Sequence, residues 1–194
     1  MIKHVVVGVL IAIGYFFWTG REVTHGPGEI APDPPKVNRL TWEKPFSHKS
    51  YKIIPKRTIQ GEVRILEKKR YFFDDKNDLV PFDIFIGWSK LSDERNLTGM
   101  NITISDRDAS IAFSVPPLPV NDVYRQTDLL HFIASDKNVK NALSKARKGD
   151  VIRFKGLLAD VSDNRGMHWQ TSVSLNERGN KSDKIVWVDE FIVL

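Results

Sequence analysis

Apolar residues are distributed along this chain in three ways. Val5 to Trp18 reads VVVGVLIAIGYFFW, fourteen residues without a charge. His25 to Asn38 has no periodicity. From residue 51 onward apolar and polar residues mostly alternate. The first pattern suits a membrane anchor or signal-peptide core, the second a linker, the third β-strands.

The alternating part predicts its elements one by one. Ile59, Gly61, Val63 and Ile65 share one side of a strand, with Glu62 and Arg64 on the other. Asp74 to Asp78 is a turn. Phe82, Ile84, Ile86 and Trp88 recur at period two, one face of a pleated strand. Asn101–Ser105 and Ser110–Val115 form a hairpin around Asp106-Arg107-Asp108. Pro116 to Pro119 ends it, and a loop runs to about Gln126. One helix is expected at about residues 136–147. Ser135 or Asp136 is its N-cap. Val139, Ala142, Leu143 and Ala146 make one apolar stripe. Lys145, Arg147 and Lys148 load the last turn, where the helix dipole favours positive charge, and Gly149 stops it. Strands Val151–Val161, His168–Ser174 and Ile185–Val193 close the chain.

The fold class is therefore mainly β (α+β). Strands, one principal helix, then strands is the order of an OB-like curved antiparallel barrel. A β-sandwich or a generic α+β sheet stays open on the sequence alone. The expected domains are an N-terminal membrane anchor at 1–20, a Pro-rich linker at 21–47 and a β-rich domain at 48–194. Four prolines and two glycines in the fourteen residues from His25 to Asn38 break helix and sheet alike. They predict a semi-rigid spacer lifting the domain off a membrane.

Val5–Trp18 is short against the ~20 residues of a full span, with a lower limit of about 17. Ile2 and Thr19-Gly20 extend it, and Lys3 can snorkel. Val5, Leu10 and Ile13 would face lipid tails. Tyr15, Phe16, Phe17 and Trp18 suit an interfacial aromatic belt better than a signal-peptidase site, which wants small residues. A cleaved signal peptide or a buried core segment are the competing readings. Flanking charge differs by one residue, Lys3 against Arg21 balanced by Glu22. A short span near the start of a chain leaves its N-terminus in the cytoplasm. The expected location is thus the inner (cytoplasmic) membrane, single pass, with the domain facing the periplasm.

Composition alters little. The 194 residues are 41% hydrophobic and 27% charged, too apolar for disorder. The net charge of +5 comes from 29 basic against 24 acidic residues spread along the chain. It permits contact with anionic lipid or nucleic acid without requiring either. There is no cysteine, so a lipidated N-terminal Cys is excluded.

Several stretches carry a resemblance. Leu130-His131-Phe132-Ile133-Ala134, Arg147 to Val151 with Gly156-Leu157, His168 to Ser172, and Val186 to Glu190 together are similar to a family of short, N-terminally membrane-anchored proteobacterial proteins of unknown function. The resemblance covers most of residues 50–194 and the anchor-and-proline layout. It implies location and family unity, and no activity. Members tend to carry a Cys in the hairpin before the last strand. Here Gly179 to Asp183 holds none, so a role for that thiol is not carried over.

Candidate chemistry is sparse. The histidines His4, His25, His48, His131 and His168 have no metal-ligand spacing, and no cofactor motif is present. No nucleophile elbow, P-loop or Rossmann glycine pattern occurs. Asp74-Asp75 and Asp106/Asp108 fall in turns, where Asp is expected anyway. His131 lies on an apolar strand and reads first as a satisfied core or interface histidine. Trp88, Trp169 and Trp187 sit on predicted strands and read first as packing. As a binding surface, Arg153 and Lys155 alternate with Ile152 and Phe154 and so face away from the core. The Asn164–Trp169 hairpin, with His168 and Trp169, would add a polar tip and aromatic surface to the contact. Two function classes follow. The favoured one is a bitopic envelope protein that presents a non-catalytic β-barrel interaction module, a subunit of a membrane assembly. Its partners would be the bilayer, through residues 5–18, and an envelope protein. Nucleic acid is disfavoured for an exported domain. The alternative is an envelope-polymer hydrolase with a dispersed site around His131.

Overall fold

A computed structural model describes residues 21–175 and 183–194. The expected anchor at 1–20 lies outside the described residues. Among the described residues no helix is long and apolar enough to cross a membrane. The strands are β1 (Lys36–Arg39), β2 (Phe46–His48), β3 (Tyr51–Arg70), β4 (Phe82–Gly87), β5 (Met100–Ser105) and β6 (Asp108–Phe113). Then come helix α1 (Val120–Arg125), β7 (Thr127–Ala134), helix α2 (Lys137–Lys145), β8 (Val151–Asp163), β9 (His168–Trp169) and β10 (Lys184–Val193).

The chain is mainly β, with one main helix and a curled sheet. The curl has a specific cause. β3 is twenty residues long and bonds two different partners along its length. Tyr51 to Arg64 pairs antiparallel with β8, and Arg64 to Arg70 pairs antiparallel with β4. β4 continues to β7, β7 to β10 in parallel, and β10 to β8. The hydrogen-bonded path β3–β4–β7–β10–β8 returns to β3 and closes. Register shifts at Pro55/Arg57 and Ile65/Glu67 mark bulges in β3, which add the bend that closure needs.

Period-two alternation fills the ring. Phe82, Ile84 and Ile86 of β4 meet Leu130 and Phe132 of β7, Ile152 and Phe154 of β8, and Val186 and Val188 of β10 inside. Ile59, Val63 and Ile65 complete the wall, as their spacing predicts. Helix α2 adds Val139, Leu143 and Ala146 to the same cluster. Asp136 caps it, accepting from the Asn138 and Val139 amides at 2.7 and 2.9 Å. The helix stops at Lys145, so Arg147 and Lys148 lie in the following turn rather than on it.

The outer face of β4 and β7 is also covered. Phe85 and Leu129 are register partners pointing outward. With Leu66 they pack beneath Ile104, Ile102, Ala109 and Ile111 of the β5–β6 hairpin. The hairpin turn falls at Asp106-Arg107, as expected.

Three expectations change. The loop before Gln126 holds the short helix α1. The predicted strand His168–Ser174 shrinks to the two residues of β9. The Pro-rich linker is no free spacer. β1 and β2 pair antiparallel with β3, the Val23 amide donates to the Lys148 carbonyl at 2.9 Å, and Ser89 donates to the Ala31 carbonyl at 2.7 Å. Proline lacks only the amide, so between prolines the chain still forms bonds. Gly149, at φ +90°, permits this route, since a side chain there would collide with the Val23 carbonyl.

Candidate functional site

Two gatherings of charged side chains among the described residues hold the expected site residues. The first is on the outer face of β4 and β7. Asp83 and His131 are register partners there, one pair along from Phe85 and Leu129. His131 Nδ1 lies 2.8 Å from Asp83 Oδ1. The same oxygen accepts from Arg107 Nη1 at 2.9 Å. Arg107 stands at the hairpin turn and reaches back. Its Nη2 donates to Asp74 Oδ1 at 2.7 Å, and its guanidinium stacks 3.8 Å from the Tyr71 ring centre. On the other side His131 Nε2 is 3.6 Å from Asp183 Oδ1, and Trp169 Nε1 donates to Asp183 Oδ2 at 2.6 Å. Lys76 sits over the Trp169 ring at 4.2 Å.

This row ties together β4, β7, β9, the β5–β6 turn and the loops at Asp74 and Asp183. Its centre is sealed, while the Asp183 side chain at one end is 41% exposed. His131 is 1% exposed and Asp83 0%. Burial works against charge on the imidazole, but the facing Asp183 and Asp83 carboxylates outweigh it and raise its pKa above the ordinary value. Burial pushes the Asp183 carboxyl up, and the bonds from His131 and Trp169 bring it below its usual value. The Arg107 hydrogen bond holds Asp74 low. Burial beside Asp83 pushes the Tyr71 phenol up to about 12. Both ring nitrogens of His131 face carboxylates. The arrangement can hold a proton, but it offers no nitrogen to a substrate. Among the described residues no three His, Cys, Asp or Glu side chains are grouped to hold a metal ion.

The second place is a surface groove of about 440 Å³. Arg153 and Lys155 form its floor with Phe154 of β8. Glu62 and Gln60 of β3 flank them in register, and Pro32 to Pro34 form a wall. Arg153 donates to Glu62 Oε1 from Nε at 2.7 Å. Gly61 has no side chain, so Pro35 lies against its backbone. Lys36 and Glu190 complete the charges: three cations, Lys36, Arg153 and Lys155, against three carboxylates, Asp33, Glu62 and Glu190.

The expected site residues thus separate. Arg153 and Lys155 lie together in the groove. His168 is exposed at the far end of β8, pairing with Ser162. At ~3.3 Å per residue that is about 23 Å along the strand from Lys155. Trp169 is buried among Tyr51, Ile53, Val161 and Ile185, and its ring centre lies 5.0 Å from that of His131, so these two expected residues do meet. His131 belongs to the buried row. Sequence reasoning missed Glu62, the proline wall, Arg107 and Asp183. Asp83 carried a usable signal: a charge inside the apolar run Phe82–Gly87, six residues that are all buried.

Among known proteins, no family model, no curated protein and no solved structure matches this chain.

Proposed function

We propose that this protein is a bitopic membrane protein, anchored in the inner membrane through residues 5–18, whose periplasmic domain is a non-catalytic OB-type barrel that docks a protein partner. The OB reading is supported by the strand order. Numbering the ring strands β3, β4, β7, β8 and β10 from one to five gives 1-2-3-5-4-1, with the main helix between the third and fourth, as in a five-stranded Greek-key barrel.

One observation carries the choice of ligand class. OB barrels take oligonucleotides on the face of their second and third strands. Here that face is β4 and β7, and it is buried under the β5–β6 hairpin and the Asp83–His131 row. An open concavity lies instead at the groove of Arg153 and Lys155. Its three cations and three carboxylates cancel. A polyanion would meet as much repulsion as attraction there, whereas a peptide surface of mixed charge fits it.

One observation favours the hydrolase alternative: His131 lies between two carboxylates. Its burial and its two occupied nitrogens speak against substrate access.

A photo-crosslinking residue at Gln60 of the full-length protein tests the proposal. In native membranes it is expected to give discrete protein adducts that disappear with Arg153→Ser and Lys155→Ser. No adduct, or adducts indifferent to those substitutions, overturns the groove. Release of the chain by alkaline carbonate overturns the anchor.

A further inference from the structure

The linker's attachment sets where the domain stands. Resting on the anchor reading, the apolar stretch ends at Trp18 and the folded chain is already fixed at Glu22. Glu22 lies 3.7 Å from Lys148 Nζ, and Val23 bonds the Lys148 carbonyl. Four residues span at most ~14 Å at ~3.5 Å each. The turn after α2 is therefore held at the membrane surface instead of nanometres above it.

What surrounds that point is basic and then aromatic. Lys148 also lies 3.5 Å from Glu67. Lys68 Nζ donates to the carbonyls of Leu143 and Ala146 at 2.6 and 2.7 Å, joining the end of β3 to the end of α2. Exposed Lys145 and Arg147 stand on one side of this junction and exposed Arg70 on the other, with Lys69 next to it on the opposite face of β3. Most nearby acids are engaged: Glu22 and Glu67 with Lys148, Asp150 with the Arg147 amide at 2.7 Å, and Asp74 with Arg107, while Asp75, exposed two residues past Phe73, opposes the cations. Two residues past Arg70 the loop presents Phe72 and Phe73, 59% and 101% exposed. The Arg70 guanidinium lies 4.6 Å from the Phe72 ring centre. Two adjacent solvent-facing phenylalanines beside a cationic patch are costly in water and suited to a headgroup layer, where rings insert and cations meet anionic lipid.

We infer that the face built by Lys145, Arg147 and Arg70, with Lys69 at its edge, lies on the anionic surface of the bilayer that holds the anchor, with Phe72 and Phe73 inserted at the interface. The domain is then fixed in orientation on the membrane.

The chain has no cysteine, which gives a clean test. Phe73→Cys, or Val115→Cys at the hairpin end remote from Arg107, is labelled with an environment-sensitive fluorophore in the full-length protein. The protein is reconstituted into phosphatidylglycerol-containing or pure phosphatidylcholine vesicles carrying spin-labelled lipid. Expected is a blue shift and strong quenching at position 73 in the anionic vesicles. Quenching should be several-fold weaker in phosphatidylcholine, weak at position 115, and lost from position 73 when Lys69 and Arg70 are changed to Glu. Equal quenching at both positions, or insensitivity to Lys69→Glu/Arg70→Glu, overturns the inference and leaves the anchor standing. A chain that fails to sediment with either vesicle overturns both.

Discussion

Arg107 and Arg153 each pair with a carboxylate on a strand of the same ring, and the two pairs teach opposite things. Arg107 meets Asp83 on the outer face of β4, beneath a hairpin, with its second nitrogen on Asp74. Arg153 meets Glu62 across β8 and β3, with side chains 49% and 48% exposed. In the first case two charges were taken out of water, and each depends on the other. In the second, water solvates whichever partner is left alone. The buried pair therefore governs folding, while the exposed pair is free to serve a surface.

Breaking the buried pair should have the largest effect. Asp83→Ala leaves Arg107 and a proton-holding His131 without their shared oxygen. Losing one partner of a buried pair costs about 3–5 kcal/mol. Denaturant unfolding of the domain should report that loss. A change below about 1 kcal/mol would mean that the row is wetter than its burial implies.

The pH dependence sharpens the contrast next. His131 has a raised folded pKa, so its contribution is complete below its unfolded value of 6.5 and fades as pH rises through the folded one. Asp74 and Asp183 have lowered folded values, so theirs is present above 3.8 and fades as pH falls through those. The row is strongest between these limits. Lys68, pulled down by burial to about 8, tilts the alkaline side the other way, because its unfolded form binds more protons. The quantity to follow is therefore the difference in thermal midpoint between wild type and His131→Gln. It should shrink as pH rises above 6.5 and through the raised folded value, where the imidazole loses its proton. A constant difference would show that the fold leaves the pKa of His131 unshifted.

The same contrast explains what the sequence disclosed. The interior of the ring was legible because alternation is local. Phe82, Ile84 and Ile86 declare a face whatever lies opposite, and Asp136 and Leu143 declare a helix. What failed to show was pairing at a distance. Arg107 stands in a hairpin turn, where an arginine ordinarily meets solvent, and its partner Asp83 lies 24 residues away. The linker read as a spacer because prolines forbid sheet interiors, yet Lys36 to Arg39 needs only the outer edge of β3. The groove inherited both gaps. Arg153 and Lys155 could be read as outward, but Pro32 to Pro34 and Glu62 reach them only through the fold.

Glu62→Ala gives the smaller counterpart of the Asp83 experiment. An exposed pair is worth about 0–1 kcal/mol, so unfolding should shift little, and less still at high salt. A loss comparable to that of Asp83→Ala would erase the distinction between the two sites.

The smallest stability effect is expected where the functional effect is greatest. Arg153→Ser with Lys155→Ser removes two exposed side chains that alternate with the buried Ile152 and Phe154. Neither the interior nor the ladder to β3 and β10 depends on them, because backbone groups make those bonds. Surface changes of this kind usually stay within about 0.5 kcal/mol. The thermal midpoint should therefore hold, while crosslinking from Gln60 is lost. The pair of readouts separates the possibilities. A stable double variant with unchanged crosslinks places the partner elsewhere. An unfolded one would show that Arg153 holds Glu62 and the strap of residues 32–36 in place, and the exposed pair would then belong with Arg107 after all.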